Sequence, residues 1–530
     1  MNISKLWSPK RAKKERVLIF GTGSGGRYLY NSIQNQKDII GFLDNNRLKQ
    51  GTKFCGRNVL NPSDILNLNF EKIIIASDYY KEIFQQLTTE FGVAKQKISL
   101  YHTEQRSEKT IFTVIRNKLT NLIIKNVCSN STLKSKIIYN IVIIFSSTMR
   151  LNKINDLIWL DQLKENKITT FIEKYNGFSY PPRFPGRIQN KQSIVIPDIS
   201  AYKFENATIS PTNSAISFDR NLTILTRVPS LLSSSADYSG GNIIAHGSKK
   251  ILLRKLHAGN IQRGIAITGS SDTNYYHWIL EVLSKLQYIQ LLPKNYRHYP
   301  ILISEKAQQI PSIKKFFDLF AIKNQIIWLQ SSQQYRIDDL IYITPPNYIA
   351  PNLALGKKYD ATNCYINTDS IQYLKKIALT QQKQESNVSS RKRIFLARKH
   401  FIRSYNQNDV VNLLAHYDFD IIYLEDLSFL QQVDLMQQAE IIIGPTGAAW
   451  TNLIFANSEV KALTWIAREA GDFSGYSSLA RHVGIQLDFI TYNAGTLDTR
   501  GIYFAPYTIS CKEIEEWIVE NDSAVKPDEK

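Results

Sequence analysis

The sequence predicts an α/β protein made of several doubly wound units, and three observations predict it. Apolar, β-branched strands alternate with helical periods in residues 1–103 and again in the last third of the chain. Two of these strands end in turns of small residues, Gly21 to Gly26 and Gly444 to Ala449, where such sheets meet their ligands. At 530 residues the chain also exceeds what one core supports, which sets the expectation at two or three domains.

In chain order, "RVLIFGTGSGGRYLYNSIQ" gives a short strand (Val17 to Phe20), then Gly21, Gly23 and Gly26 in G-x-G-x-x-G spacing, then a helix. "DIIGFLDNN" is a second strand ending in Asp44, about where a ribose hydroxyl would be met. "EKIIIASDYYKEIFQQL" is a third strand running into a helix, and this first domain is placed at 1–103. Residues 104–165 read as a basic helical linker. "KTIFTVIRNKLTNLIIKNV" puts Ile111, Ile115, Leu119 and Leu122 on one face, with Arg116, Lys118 and Lys125 at its margins. Such an element either packs between domains or docks on anionic lipid.

Residues 166–350 open β-rich, continue through "TNYYHWILEVLSKLQYIQLL", read as one long helix, and end in further strands. In residues 351–530 the alternation returns: "KRIFLARK" strand, "QNDVVNLLAHY" helix, "FDIIYLEDL" strand, "SFLQQVDLMQQA" helix, "EIIIGPTG" strand and turn, "AAWTNLIFA" helix, "VKALTWI" strand. This is a second doubly wound unit. No fixed-period repeat occurs, so a solenoid is not expected.

Composition narrows the function classes. A hydrophobic content of 43% and a charged content of 21% exclude a disordered or fibrous chain. Cys55, Cys128, Cys364 and Cys511 lack metal-ligand spacing, so neither a disulfide framework nor a metal site is expected. No apolar signal core precedes the first strand and no run of about 18 apolar residues occurs, so the expected location is the cytoplasm. The net charge of +19 points to phosphate-bearing ligands or an anionic membrane surface. No base-stacking motif accompanies the basic stretches, and nucleic acid is not expected as a partner.

Three elements carry candidate chemistry. The strand "EIIIG" delivers its carboxyl end to Gly444, Thr446, Gly447, Ala448 and Ala449, small residues that allow close backbone approach. The helix that follows, with Asn452, offers N–H groups and a positive dipole suited to phosphate. The strand "RIFLAR" ends in Arg398, with Arg403 and Asn406 in the loop beyond, and arginine there suits a diphosphate without a metal. In "NYYHWILEV", Asn274, His277 and Glu281 fall on one helical face, and a histidine there suits proton removal from a hydroxyl. The Gly21–Gly26 turn with Asp44 reads either as a nucleotide cradle or as a unit kept for packing.

"NYYHWILEVLSKL", "RIFLARKHFIRSYNQND", "YLEDLSFLQQVDLMQQAEIIIGPTGAAWTNLIFA" and "VKALTWI", in this order, resemble glycosyltransferase family 61 over roughly residues 170–490. The resemblance implies a GT-B-like pair of Rossmann-like domains, here 166–350 on the acceptor side and 351–530 on the donor side. It also implies a nucleotide-sugar donor, with UDP the expected nucleotide, inversion at the anomeric carbon, and no required cofactor or metal. Arg398, Arg403 and Asn406 match the family's R…R…N stretch, and Glu425 and Gln432 its acidic and glutamine positions. Gly447, Ala448 and Asn452 match its His-Gly-Ala…Asn turn, with Thr446 standing where the family has histidine. His277 matches the histidine of its Asn-x-x-His motif, and Gln407 stands where glutamate is frequent. The first domain resembles the Rossmann-like units found ahead of sugar acyltransferases.

The expectation is therefore an inverting hexosyl- or pentosyltransferase of bacterial surface (capsular) polysaccharide or lipid-linked glycan assembly, peripheral on the inner face of the plasma membrane. His277 is its expected base, with Glu281 and Glu425 in reserve. Two alternatives stand beside it: an NAD(P)-dependent sugar-nucleotide-modifying enzyme centred on Gly21–Gly26, and a non-catalytic scaffold of a polysaccharide assembly complex. Against the first, no Tyr-x-x-x-Lys pair follows that turn at a sensible spacing.

Overall fold

Val17, Leu18, Ile19 and Phe20 are all buried, as a parallel strand covered on both faces requires. This strand belongs to a computed structural model that describes residues 14–100 and 151–522, except 35–36, 47–48, 78–79, 214, 219–221, 227–235, 255, 272–273, 355, 381–391, 400–403 and 504. The chain divides into two units, Met1–Thr120 and Asn121–Lys530.

In the first unit five strands run parallel in the spatial order Arg57–Leu60, Asp38–Leu43, Arg16–Phe20, Lys72–Ile75, Ile98–Leu100, with Lys53–Phe54 antiparallel at one edge. Alternate residues feed opposite faces: Leu18, Phe20, Ile73 and Ile75 pack on one side, and Val17, Ile19 and Ile74 on the other. Counted along the chain the parallel order is third, second, first, fourth, fifth. The winding therefore reverses between Arg16–Phe20 and Lys72–Ile75, at whose carboxyl ends lie Gly21 and Ala76.

The second unit holds a parallel sheet in the order Asp420–Ile422, Lys392–Leu396, Ala439–Pro445, Lys461–Ala467, Gln486–Tyr492. Along the chain this is second, first, third, fourth, fifth, and the winding reverses between Lys392–Leu396 and Ala439–Pro445. The same unit holds an eleven-stranded mixed sheet. Its parallel part is Gln333–Ile343, His257–Ala266, Ile301–Ser304 and Ile326–Leu329. The rest is largely antiparallel around Ile199–Ile209, so residues 166–350 do not form the expected Rossmann-like unit.

Two further expectations are corrected here. Leu151–Trp159, placed in the helical linker, is a strand of this sheet, parallel to Leu222–Leu225 and antiparallel to Lys250–Arg254. Its alternation sends Leu157 and Trp159 into one core and Ile158 against another, a period of two that no helix satisfies. The remaining linker residues, 104–150, lie outside the described residues, as do residues 1–13. Second, residues 166–350 and 351–530 are not separate bodies: Ile199, Ile265 and Leu280 share one core cluster with Ile394, Ile442 and Trp465.

Candidate active site

The sheet around Ala439–Pro445 makes its crevice from backbone economy. A Cβ on Gly444 would lie 2.9 Å from the Cβ of Leu396, so a side chain there would push apart the two strands at which the winding reverses. Across this crevice the Arg398 guanidinium donates to the Thr446 carbonyl. A Cβ on Gly447 would stand 3.3 Å from Arg398 Nη2, so glycine keeps that space open. Arg398 is itself steadied: its N–H donates to Gln407 Oε1 at 2.9 Å, Gln407 Nε2 returns to the Arg398 carbonyl at 3.1 Å, and Tyr405 Oη donates to the same Oε1 at 2.9 Å. Thr446 turns away from the crevice, its hydroxyl donating to the Trp465 carbonyl at 2.8 Å on the next strand. The threonine side chain thus ties the turn to the sheet.

Gly447 is followed by a 3-10 helix, Ala448–Phe455, rather than the expected α-helix. Its Asn452 is almost fully buried and joins three elements. Asn452 Oδ1 accepts from Tyr275 Oη at 2.9 Å, and its Nδ2 donates to Gln432 Oε1 at 3.2 Å. Gln432 Nε2 in turn donates to the carbonyls of Leu424 and Leu427, which fixes the turn Leu424–Asp426 carrying the exposed Glu425. Burial pushes the Tyr275 phenol up, so it stays a donor at neutral pH.

The segment read as one long helix is three: α over Tyr275–His277, π over Trp278–Val282 and 3-10 over Leu283–Leu291. Asn274 is its cap, accepting from Tyr276 N–H at 2.9 Å, so its side-chain oxygen is engaged with the backbone of the first turn. His277 Nδ1 lies 2.8 Å from Glu281 Oε1, which also accepts from Ile349 N–H at 3.2 Å. Both side chains are buried, and a carboxylate against Nδ1 places the proton there, leaving Nε2 with its lone pair. One turn further, Lys285 is 1% exposed, its Nζ donating to the Thr268 carbonyl at 2.9 Å and lying 4.6 Å from the Tyr342 ring centre.

Thr446 also lines a cavity of about 50 Å³ at the carboxyl ends of the strands, with Ala467, Tyr359, Phe473, Tyr476 and Tyr492. His277 and Arg398 do not line it. Tyr276 links the two areas, its ring edge-on to Tyr476 with centroids 5.4 Å apart. Asn406 is committed elsewhere: Nδ2 donates to the Ile509 carbonyl and Oδ1 accepts from Ile509 N–H. Arg403 lies outside the described residues.

In the first unit Gly21 has φ of +116° and a Cβ there would be 2.8 Å from the Ala76 carbonyl. A Cβ on Gly26 would be 2.0 Å from the Gly21 carbonyl, whereas one on Gly23 would meet nothing within 4 Å. Asp44 is turned onto the loop: Thr22 donates to its Oδ2 through N–H and hydroxyl, and Asn46 N–H to its Oδ1. Burial pushes this carboxyl up, but the Thr22 hydroxyl, the Asn46 N–H, Lys49 and the Thr22 N–H together hold it below its usual range.

Residues 275–463, which run from Tyr275 through both strands of the crevice, match the family model Glycosyltransferase 61. The chain is a glycosyltransferase. Residues 13–99 match a second family model, C2185-like, N-terminal. A solved structure, UDP-D-quinovosamine 4-dehydrogenase from Vibrio fischeri, is 26% identical over a match covering 17% of this chain and 76% of that one; the TM-score is 0.14, which supports no fold assignment. No curated protein matches the chain.

For this glycosyltransferase the sequence pointed at Arg398, Thr446, Gly447, Asn452, Gln432, His277 and Glu281, and the structure ties them into two linked groups. Tyr275 went unmarked, although it adjoins the Asn-x-x-His motif. A phenol two residues from a candidate base carries no signal until its partner across 177 residues is seen.

Proposed function

We propose that this glycosyltransferase inverts configuration, taking a sugar from a nucleotide diphosphate, UDP the expected nucleotide, onto a hydroxyl of a surface-polysaccharide or lipid-linked glycan acceptor. The observation that carries the proposal is Arg398 crossing the reversal point of the sheet to Thr446, just ahead of the 3-10 helix whose Asn452 is bonded to the segment bearing His277. The donor diphosphate lies in that crevice, where the guanidinium exchanges a backbone carbonyl for phosphate oxygens. His277 Nε2 takes the acceptor hydroxyl proton and the oxygen attacks the anomeric carbon. The bond from that carbon to the diphosphate oxygen breaks with its electron pair, and Arg398 stabilises the charge on the departing diphosphate. Glu281 orients His277 and balances the imidazolium. The Gly21–Gly26 loop is read as a separate nucleotide cradle. Turnover of a His277→Gln protein with an unchanged melting temperature tests the base: a fall of about a hundredfold or more is expected, and wild-type turnover would remove His277 from the role.

A further inference from the structure

Strands Tyr175–Ser179 and Gln192–Ile196 form a two-stranded antiparallel sheet of their own. Its register pairs Phe178 with Ser193 and Asn176 with Val195, which puts these four on one face; Gly177, Ile194 and Ile196 lie on the other. The inner face is closed, with Ile194 and Ile196 buried and a Cβ on Gly177 only 2.5 Å from Ile196 Cδ1. The outer face is open: Phe178 is 39%, Val195 57% and Ile188, on the connecting loop, 92% exposed. Lone exposed apolar residues are ordinary; three on one hairpin are not.

The loop that joins these strands is pinned. Tyr180 N–H donates to Ser478 Oγ at 2.9 Å and Ser477 Oγ to the Tyr180 carbonyl at 2.6 Å. Phe489 N–H donates to the Arg183 carbonyl at 2.8 Å, and Arg183 Nε meets Asp488 Oδ1 at 2.9 Å. The hairpin's apolar outer face is therefore presented rigidly, on a segment that is itself cationic. Residues 173–196 hold Lys174, Arg183, Arg187 and Lys191 against the single carboxylate Glu173. Lys191 Nζ sits 4.0 Å from the Phe178 ring centre, an ammonium beside an apolar anchor.

We infer that this hairpin docks the glycosyltransferase on an anionic lipid bilayer, Phe178, Ile188 and Val195 entering the headgroup boundary and Lys174, Arg187 and Lys191 pairing with lipid phosphates. Mixed apolar and cationic character on one rigid tip fits an interface that is apolar below and anionic above. The position has a use. A groove of about 660 Å³ begins at Phe184, Pro185 and Arg187 beside the tip and reaches Ile466 and Ala467, which also line the small cavity at Thr446. A membrane-held acceptor would meet this groove beside the docked hairpin. This use rests on the proposed reaction, whereas the docking does not.

The test is co-sedimentation of the full chain with phosphatidylcholine vesicles, with and without about a third phosphatidylglycerol, for wild type and the F178S/I188S/V195S variant. The expected result is binding to the anionic vesicles that weakens on the order of tenfold in the variant and with Lys191→Glu, at unchanged melting temperature. Unchanged binding by the variant, or no binding of wild type to either vesicle, overturns the inference. So does a wild-type dimer that the variant converts to monomer, since the face would then cover a second copy. Vesicle binding is read without donor or acceptor, so failure of the proposed reaction leaves this result standing.

Discussion

Among the described residues stand two reversal points of doubly wound parallel sheets, each flanked by a turn of small residues, and they are finished in opposite ways. At Gly21–Gly26 the crevice is lined by backbone, the glycine at position 23 faces open space, and the carboxylate beside it, Asp44, is tied to Thr22 and paired with Lys49. At Gly444–Gly447 the crevice is bridged by a cation, Arg398, held by Gln407 and donating to the Thr446 carbonyl. Two different windings thus each end in a reversal point, one offering backbone N–H groups and the other a guanidinium, either of which suits a phosphate. Strand order locates a site, but the side chain set across it decides which charge the site can stabilise during a reaction.

The sharpest way to break this comparison is to remove the cation. Arg398→Ala is expected to lower turnover by about 10²–10³-fold, the scale of one preorganised donor to a developing charge, measured with donor and acceptor saturating. Arg398→Lys should recover only part, because a point charge cannot reproduce the fork. On the other side, Gly26→Ala forces a Cβ to within 2.0 Å of the Gly21 carbonyl, and should lower the stability of the first unit by about 3 kcal/mol in a denaturant titration. Turnover is expected to survive it. A smaller effect sharpens the role of the support: Gln407→Ala frees the Arg398 backbone and should cost about tenfold in turnover with little change in melting temperature, a loss of positioning alone.

The smallest effect concerns acid. Asp44 is held below its ordinary value in the fold, so it contributes stability that is complete above the unfolded value near 4 and is lost as pH falls through the lower folded value. Thr22→Val removes the hydroxyl donor and should flatten the acid limb of the first unit's melting profile by about 1 kcal/mol. An unaltered profile would show that the Thr22 hydroxyl does not hold the Asp44 charge.

The two reversal points were legible in the sequence because each combines a period of apolar β-branched residues with a turn that only small residues can make. His277 and Glu281 were legible for a second reason, a spacing of four that keeps two side chains on one face through the α and π turns found here. Much else was not. The mixed sheet escaped because antiparallel strands such as Ile199–Ile209 are paired by partners far along the chain, Gln333–Ile343 above all, and local sequence does not name them. Leu151–Trp159 was taken as linker because its apolar half resembles a helix edge until its neighbours are known. The π turn at Trp278–Val282 was hidden because apolar residues on all sides fit any helical pitch, and Asn406 looked like a ligand residue because its partner, the Ile509 backbone, lies 103 residues away.

The central claim is that the donor diphosphate belongs to the crevice of Arg398 and Thr446. Calorimetric titration of UDP into the full chain, compared among wild type, Arg398→Ala and Gly23→Val, tests it most directly. The account predicts a tenfold or greater loss of affinity in Arg398→Ala and wild-type affinity in Gly23→Val, whose side chain fills the open side of the N-terminal loop. Affinity lost in Gly23→Val and kept in Arg398→Ala would contradict it, and would move the donor to the first unit.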